Sequence, residues 1–199
     1  MCVSTAARFR GIEICGEITV MVSNTPQTFV WEDFGLNLYI PNNSLPADME
    51  QCTIRIKASL AGQYKFPENS QLVSAVFWLH CEPTDCAFTK TLTLEINHCA
   101  KSENYSKLSF VRAVCSQKHL PYKFKQLGGG SFNRYSSYGA IELNSFSGVA
   151  INQKGSEERE YCAKLFYKTM MSHEFVIHFV VTWNTETHLS VSYLPCTFF

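Results

Sequence analysis

The segment from residue 36 to residue 100 most constrains the fold, because its apolar stretches are short and end at residues that interrupt regular structure. These stretches are LNLYI, CTIRIKASL, QLVSAVFWL and TLTLEI, and Pro, Gly, Asn or Asp follows each of them closely. Short apolar runs bounded by such residues are typical of strands joined by turns, and they leave no room for long helices.

Two of these stretches alternate polar and apolar residues, which gives each predicted strand one polar and one apolar face. Such half-buried strands belong to antiparallel sheets with one face in water, and two of these sheets packed together form a sandwich. The sequence therefore predicts an all-β protein, an antiparallel β-sandwich. The alternating polar positions are Thr53, Arg55 and Lys57 in the first stretch and Thr91, Thr93 and Glu95 in the second. Strands are predicted at 17–22, 27–32, 35–40, 52–60, 71–80, 89–97, 106–115, 121–126, 139–143 and 146–152.

The polar run QKGSEERE at 153–160 lies between two apolar segments and is predicted to be a linker or a long loop. Beyond it, residues 161–199 contain further strand-like stretches at 161–169, 174–183 and 187–194. These are too few to form an independent β domain. They either complete the first sandwich or begin a second module.

Charge and hydropathy exclude several classes of protein. The 17 Lys and Arg residues balance 17 Asp and Glu residues, so the basic surface of a nucleic-acid-binding protein is not expected. No apolar run has the length of a signal peptide or a membrane span, so membrane insertion is not expected. Nine cysteines, an odd number, without a signal for export favour reduced thiols in a cytoplasmic protein.

The pattern His80, Cys81, Cys86, His98 and Cys99 resembles a zinc site only in composition. Ligands of structural zinc usually come in pairs spaced by about two to four residues. Cys81 and Cys86 lie further apart, and the side chains of the adjacent residues His98 and Cys99 leave a strand on opposite faces. The sequence therefore predicts no metal, no cofactor and no small-molecule substrate, with Cys81 and Cys99 as buried thiols.

Four motifs resemble the ZU-five domain, a β-sandwich module of zonula occludens proteins, ankyrins, uncoordinated-five netrin receptors and some death-domain proteins. The last motif is the most specific, and the resemblance extends over about residues 30–152. Ala75, Thr91 and Asn97 depart from the family pattern, which has proline or valine at the first two positions and proline at the third. The motifs are IPNNSLP at 40–46, the strand at 52–60, LVSAVFW at 72–78 and FTKTLTLEINHCA at 88–100.

This resemblance implies a domain organisation and a function. Residues 1–29 would be an N-terminal extension with strands, 30–152 the ZU-five-like sandwich, and 161–199 an incomplete module similar to the start of a UPA domain. The implied function is protein–protein interaction, in which the domain acts as a scaffolding or autoinhibitory module. Its partners would be other proteins or neighbouring domains of a cytoplasmic signalling or cytoskeletal assembly.

The same resemblance raises an alternative at Phe146 and Ser147. In some family members the corresponding Phe-Ser bond cleaves itself: the serine hydroxyl attacks the preceding carbonyl and forms an ester that water opens. A histidine just before the Phe or on a nearby strand serves as the base. Here Ser145 occupies the position before Phe146, and His119 is the available alternative base. We predict that the bond stays intact and that the chain has no catalytic residue; in the alternative, Ser147 is the nucleophile and Phe146 supplies the scissile carbonyl.

Overall fold

The computed structural model describes residues 12–84, 86–100, 102–113, 120–155, 160–161 and 181–182. His119 and almost all of the predicted C-terminal strands lie outside these residues. The domain boundaries predicted for that region, including the UPA-like module, stay predictions.

The described residues form antiparallel sheets, one short parallel pair and two short 3₁₀ helices, Glu32–Phe34 and Ser102–Lys107, which confirms the all-β prediction. The strands are β1 (Ile12–Ser23), β2 (Gln27–Trp31), β3 (Leu36–Ile40), β4 (Gln51–Gly62), β5 (Tyr64–Lys65), β6 (Ser70–Leu72), β7 (Val76–Glu82), β8 (Leu92–Asn97), β9 (Leu108–Ala113), β10 (Tyr122–Lys123), β11 (Lys125–Gln126), β12 (Ser131–Phe132), β13 (Tyr138–Leu143), β14 (Gly148–Lys154), β15 (Glu160–Tyr161) and β16 (Val181–Thr182).

These strands form two larger sheets. A seven-stranded sheet has the order β1-β4-β7-β14-β9-β11, with β6 also paired to β14, and a five-stranded sheet has the order β12-β13-β8-β3-β2. Two-residue strands form two further pairs, β5 with β10 and β15 with β16.

The main core lies between the two larger sheets, where the apolar positions of the alternating strands meet. In β8 the residues Leu92, Leu94 and Ile96 are buried, while Thr93 and Glu95 between them are only partly buried. The apolar positions of β4 pack into the same core from the seven-stranded sheet. The alternation read from the sequence is therefore the alternation between core and outer face.

Several predicted strands differ from the observed ones. β1 begins at Ile12 rather than at residue 17 and pairs with β4 as far as Ser23, with two bulges near its start. The stretch 71–80 divides into β6 and β7, which both pair with β14, whereas only β7 also pairs with β4. The stretch 121–126 likewise divides into β10 and β11. In addition, β14 continues to Lys154, two residues into the segment predicted as a linker.

A second, smaller core covers part of the outer face of the seven-stranded sheet. Trp78 of β7, which is 1% exposed, lies at its centre. Tyr122 stacks edge-on against Trp78 with ring centroids 4.9 Å apart, and Phe66 and Phe124 contact each other at 4.8 Å. Tyr64 also packs here, and the parallel pair of β5 and β10 holds the group in place. We call the four rings of Tyr64, Phe66, Tyr122 and Phe124 the aromatic lid over Trp78.

Candidate interaction surface

The outer face of the five-stranded sheet presents two rows of side chains that run across the strands. The cross-strand register aligns Thr28 with Tyr39, Tyr39 with Thr93, and Thr93 with Glu142. It aligns the second row in the same way, from the edge strand β2 to β12. We call these nine residues the open face: Thr28, Tyr39, Thr93 and Glu142 in the first row, and Val30, Asn37, Glu95, Ala140 and Ser131 in the second.

Apolar and aromatic groups on the open face are exposed. Val30 is 52% exposed and Tyr39 is 46% exposed, although both lie in regular strands. A depression of about 340 Å³ lies between the first strands of the sheet, and its lining includes Val30, Tyr39 and Glu95. A second depression of about 590 Å³ adjoins it at Glu95 and extends to Tyr138. The open face is thus concave and mixes apolar with polar groups, as protein-binding surfaces do.

The charge of the open face comes from two carboxylates. Glu95 accepts a hydrogen bond from Nδ2 of Asn37 at 3.0 Å, and Glu142 accepts one from Oγ1 of Thr91 at 3.2 Å. The nine residues include no Lys or Arg. These nine residues therefore carry a net negative charge, with an aromatic ring beside the carboxylates, and Arg134 lines the second depression next to them.

The outer face of the seven-stranded sheet differs because its own side chains cover or neutralise much of it, although Met21 on the edge strand β1 is exposed. The aromatic lid covers the part around Trp78. Next to it, Glu17 forms ion pairs with Arg55 at 3.6 Å and with Lys57 at 3.4 Å, and Arg55 also approaches Glu82 at 3.4 Å. The open face is the more available of the two for a partner.

The structure places Phe146 and Ser147 immediately before β14. Phe146 packs edge-on against Phe88 with ring centroids 5.2 Å apart. Ser147 is 1% exposed, and its backbone oxygen accepts a hydrogen bond from the amide of Leu79 at 3.1 Å. No described side chain forms a hydrogen bond with its Oγ.

Ser145 cannot replace the missing histidine, because its hydroxyl already contacts Arg112 at 2.9 Å and a serine is not a base at neutral pH. His119 lies outside the described residues. The arrangement around Ser147 supports the interpretation of Phe146 as a core residue and Ser147-Gly148 as a strand start. The intact bond stays a prediction.

The residues considered for zinc separate into two groups. Cys81 and Cys86 lie together, and Cys52 joins them, so that the three Sγ atoms are within 4.8 Å of one another. His98 lies elsewhere in the core: it is 7% exposed, neither ring nitrogen has a described hydrogen-bond partner, and burial lowers its pKa. Sequence reasoning missed Cys52, since only the pairing of β4 with β7 brings it near Cys81.

Within the described residues, no helix has the length and apolar character needed to cross a membrane. No curated protein matches the chain.

A comparison with protein families gives one match, over residues 19–112, to the ZU5 domain, the family written above as ZU-five. The matched residues include strands of both larger sheets, β3 and β8 of the five-stranded sheet among them. Members of this family are generally protein–protein interaction modules and typically have no enzymatic activity. The match and the two-sheet architecture agree, and residues 19–112 of the chain match the ZU5 domain.

Proposed function

We propose that this protein binds a partner protein through the open face and acts as a scaffolding or autoinhibitory module of a cytoplasmic signalling or cytoskeletal assembly. The observation that supports the site most strongly is the difference between the two outer faces. One is covered in part by the aromatic lid and neutralised in part by ion pairs, with Met21 exposed at its edge strand, whereas the other exposes Val30 and Tyr39 together beside two adjoining depressions.

The chemistry of the open face favours a partner segment with basic and apolar side chains. Glu95 and Glu142 attract Lys or Arg, and the ring of Tyr39 offers a face to a cation. Val30 lies on β2, the edge strand of the sheet, so an extended segment placed beside it also meets unpaired backbone groups of β2. A basic, partly apolar strand or loop therefore fits this surface best.

The experiment is affinity capture from a reducing cell extract with the wild-type chain and two variants. Val30→Lys places a positive charge in the open face, where it repels a basic partner. Met21→Lys makes the same kind of change at a residue that is 65% exposed on β1, in the other sheet, and serves as the matched control. We expect the partners held by the wild type to be lost with Val30→Lys and kept with Met21→Lys. Equal retention by both variants, with circular dichroism showing both folded, would place the binding site elsewhere.

A further inference from the structure

Cys52, Cys81 and Cys86 form a cluster at one end of the main core. The register places Ile54 opposite Cys81, so Cys52, two residues before Ile54, lies on the same face of the sheet as both. The chain turns back after β7, where the amide of Cys86 donates to the carbonyl of Pro83 at 3.2 Å. All three Sγ atoms consequently lie within 4.8 Å of one another.

The burial of the cluster is uneven, and this decides how a ligand would reach it. Cys52 is 3% exposed and Cys81 is 5% exposed, whereas Cys86 is only partly buried. No disulfide joins the three. Burial raises the pKa of Cys52 to about 11, and burial together with the neighbouring thiols raises the pKa of Cys81 further. Cys52 and Cys81 are therefore neutral thiols at pH 7, and the cluster is open to solution on the Cys86 side.

We propose that Cys52, Cys81 and Cys86 bind one closed-shell, sulfur-preferring metal ion, Zn²⁺ or Cu⁺. A metal–sulfur bond of about 2.3 Å places the sulfurs around one ion roughly 4 Å apart, so the cluster needs little movement to close on it. Thiolate ligands select these ions over Mg²⁺ or Ca²⁺. Cu⁺ accepts three thiolates alone, while Zn²⁺ takes a water as its fourth ligand, for which the partly buried side of Cys86 leaves room.

Binding costs the protons of the thiols, which makes the site dependent on pH. The ion offsets part of the negative charge of the three thiolates, leaving one negative charge with Zn²⁺ and two with Cu⁺, and each bound ion releases about three protons. Affinity consequently falls steeply as the pH is lowered. This site differs from the one considered from sequence, where Cys81 and Cys86 were too widely spaced and Cys52 was not part of the pattern.

The test uses the full chain, metal-free and kept reduced without added thiols, titrated separately with Zn²⁺ and with Cu⁺ against a competing chelator. Cys86→Ser is the main variant, because Cys86 is only partly buried and its replacement disturbs the core less than replacement of Cys52 or Cys81 would. Cys99→Ser is the matched control, since Cys99 is also a partly buried cysteine beside the main core but lies outside the cluster.

We expect the wild type and Cys99→Ser to bind one equivalent of at least one of the two ions, with proton release. Cys86→Ser should bind that ion more than about a hundredfold more weakly. Residues that only hydrogen-bond to metal ligands already contribute ten- to a hundredfold to metal affinity, and a ligand itself contributes more. The ion that is retained identifies the site as a zinc or a copper site. The proposal is overturned if neither ion competes with the chelator, or if Cys86→Ser and Cys99→Ser bind equally.

Discussion

Replacing Ser147 by alanine tests the structure around the predicted uncut bond, and we expect the variant to be more stable than the wild type. The hydroxyl of Ser147 is buried and has no described hydrogen-bond partner. An unpaired buried polar group costs roughly 1–3 kcal/mol, and removing a single oxygen leaves a void smaller than a methyl group, which costs less than about 1 kcal/mol. The net expectation is a gain of about 1 kcal/mol in the free energy of unfolding, or ~2–4 °C in Tm for a chain of this size.

Ser59→Ala is the matched control, because Ser59 is equally buried but its Oγ lies 2.7 Å from the hydroxyl of Tyr64. Loss of that hydrogen bond should lower the free energy of unfolding by about 1 kcal/mol. Urea denaturation of the two variants and the wild type measures both effects. If Ser147→Ala is destabilised as much as Ser59→Ala, the Ser147 hydroxyl has a partner and our reasoning about its environment is wrong.

A denaturing gel of the wild type and Ser147→Ala tests the alternative function, self-cleavage between Phe146 and Ser147. A serine without a base is a weak nucleophile at neutral pH, and the assistance of a base is worth roughly a hundred- to ten-thousandfold in rate. We therefore expect one full-length band from the wild type and from Ser147→Ala. Two bands in the wild type, with the smaller fragment starting at Ser147 and absent from the variant, would establish the self-cleaving alternative.

Two further predictions concern packing and pH. Gly148→Ala should lower the free energy of unfolding by about 1–3 kcal/mol, because an added Cβ would lie 2.7 Å from the fully buried ring of Trp78. Gly128→Ala should have little effect, since nothing lies within 4 Å of a Cβ added there. Urea denaturation measures both variants, and equal effects of the two would contradict the packing described. The free energy of unfolding should be highest above the ordinary histidine pKa of about 6.5, which applies to the unfolded chain, and should decrease as the pH falls below it. Burial lowers the pKa of His98 in the folded state, so the folded state resists protonation of this residue. Thermal melts between pH 7 and pH 5 should show a smaller decline for His98→Leu, and an unchanged decline would assign the effect to another group.

The strands that could be predicted from the sequence are those whose alternation reflects one core face and one outer face, such as β4 and β8. The strands into which the stretches 71–80 and 121–126 divide could not be predicted, because their ends depend on partner strands distant in the chain. Ser74 interrupts the stretch 71–80 where its hydroxyl accepts a hydrogen bond from the amide of Ile151, at 2.8 Å. The pairing of this stretch with β14 therefore divides into β6 and β7, and only β7 also pairs with β4. No periodicity in residues 71–80 contains that information.

The open face could not be predicted from the sequence for the same reason. The first row of the open face joins Thr28 to Glu142 through Tyr39 and Thr93, residues from four strands that only the sheet order brings together. Each of these residues taken alone is an ordinary outward position of a half-buried strand. The cysteine cluster likewise depends on the pairing of β4 with β7.

The affinity of a captured partner for Tyr39→Ala is the measurement that tests the open face most directly. Aromatic residues at the centre of an interface commonly contribute more than about 2 kcal/mol on truncation. We therefore expect Tyr39→Ala to raise the Kd at least about tenfold, and Met21→Ala, at a more exposed residue of the other sheet, to leave it within about twofold. A Kd that is unchanged by Tyr39→Ala, or that rises equally with Met21→Ala, would contradict the assignment of binding to the open face.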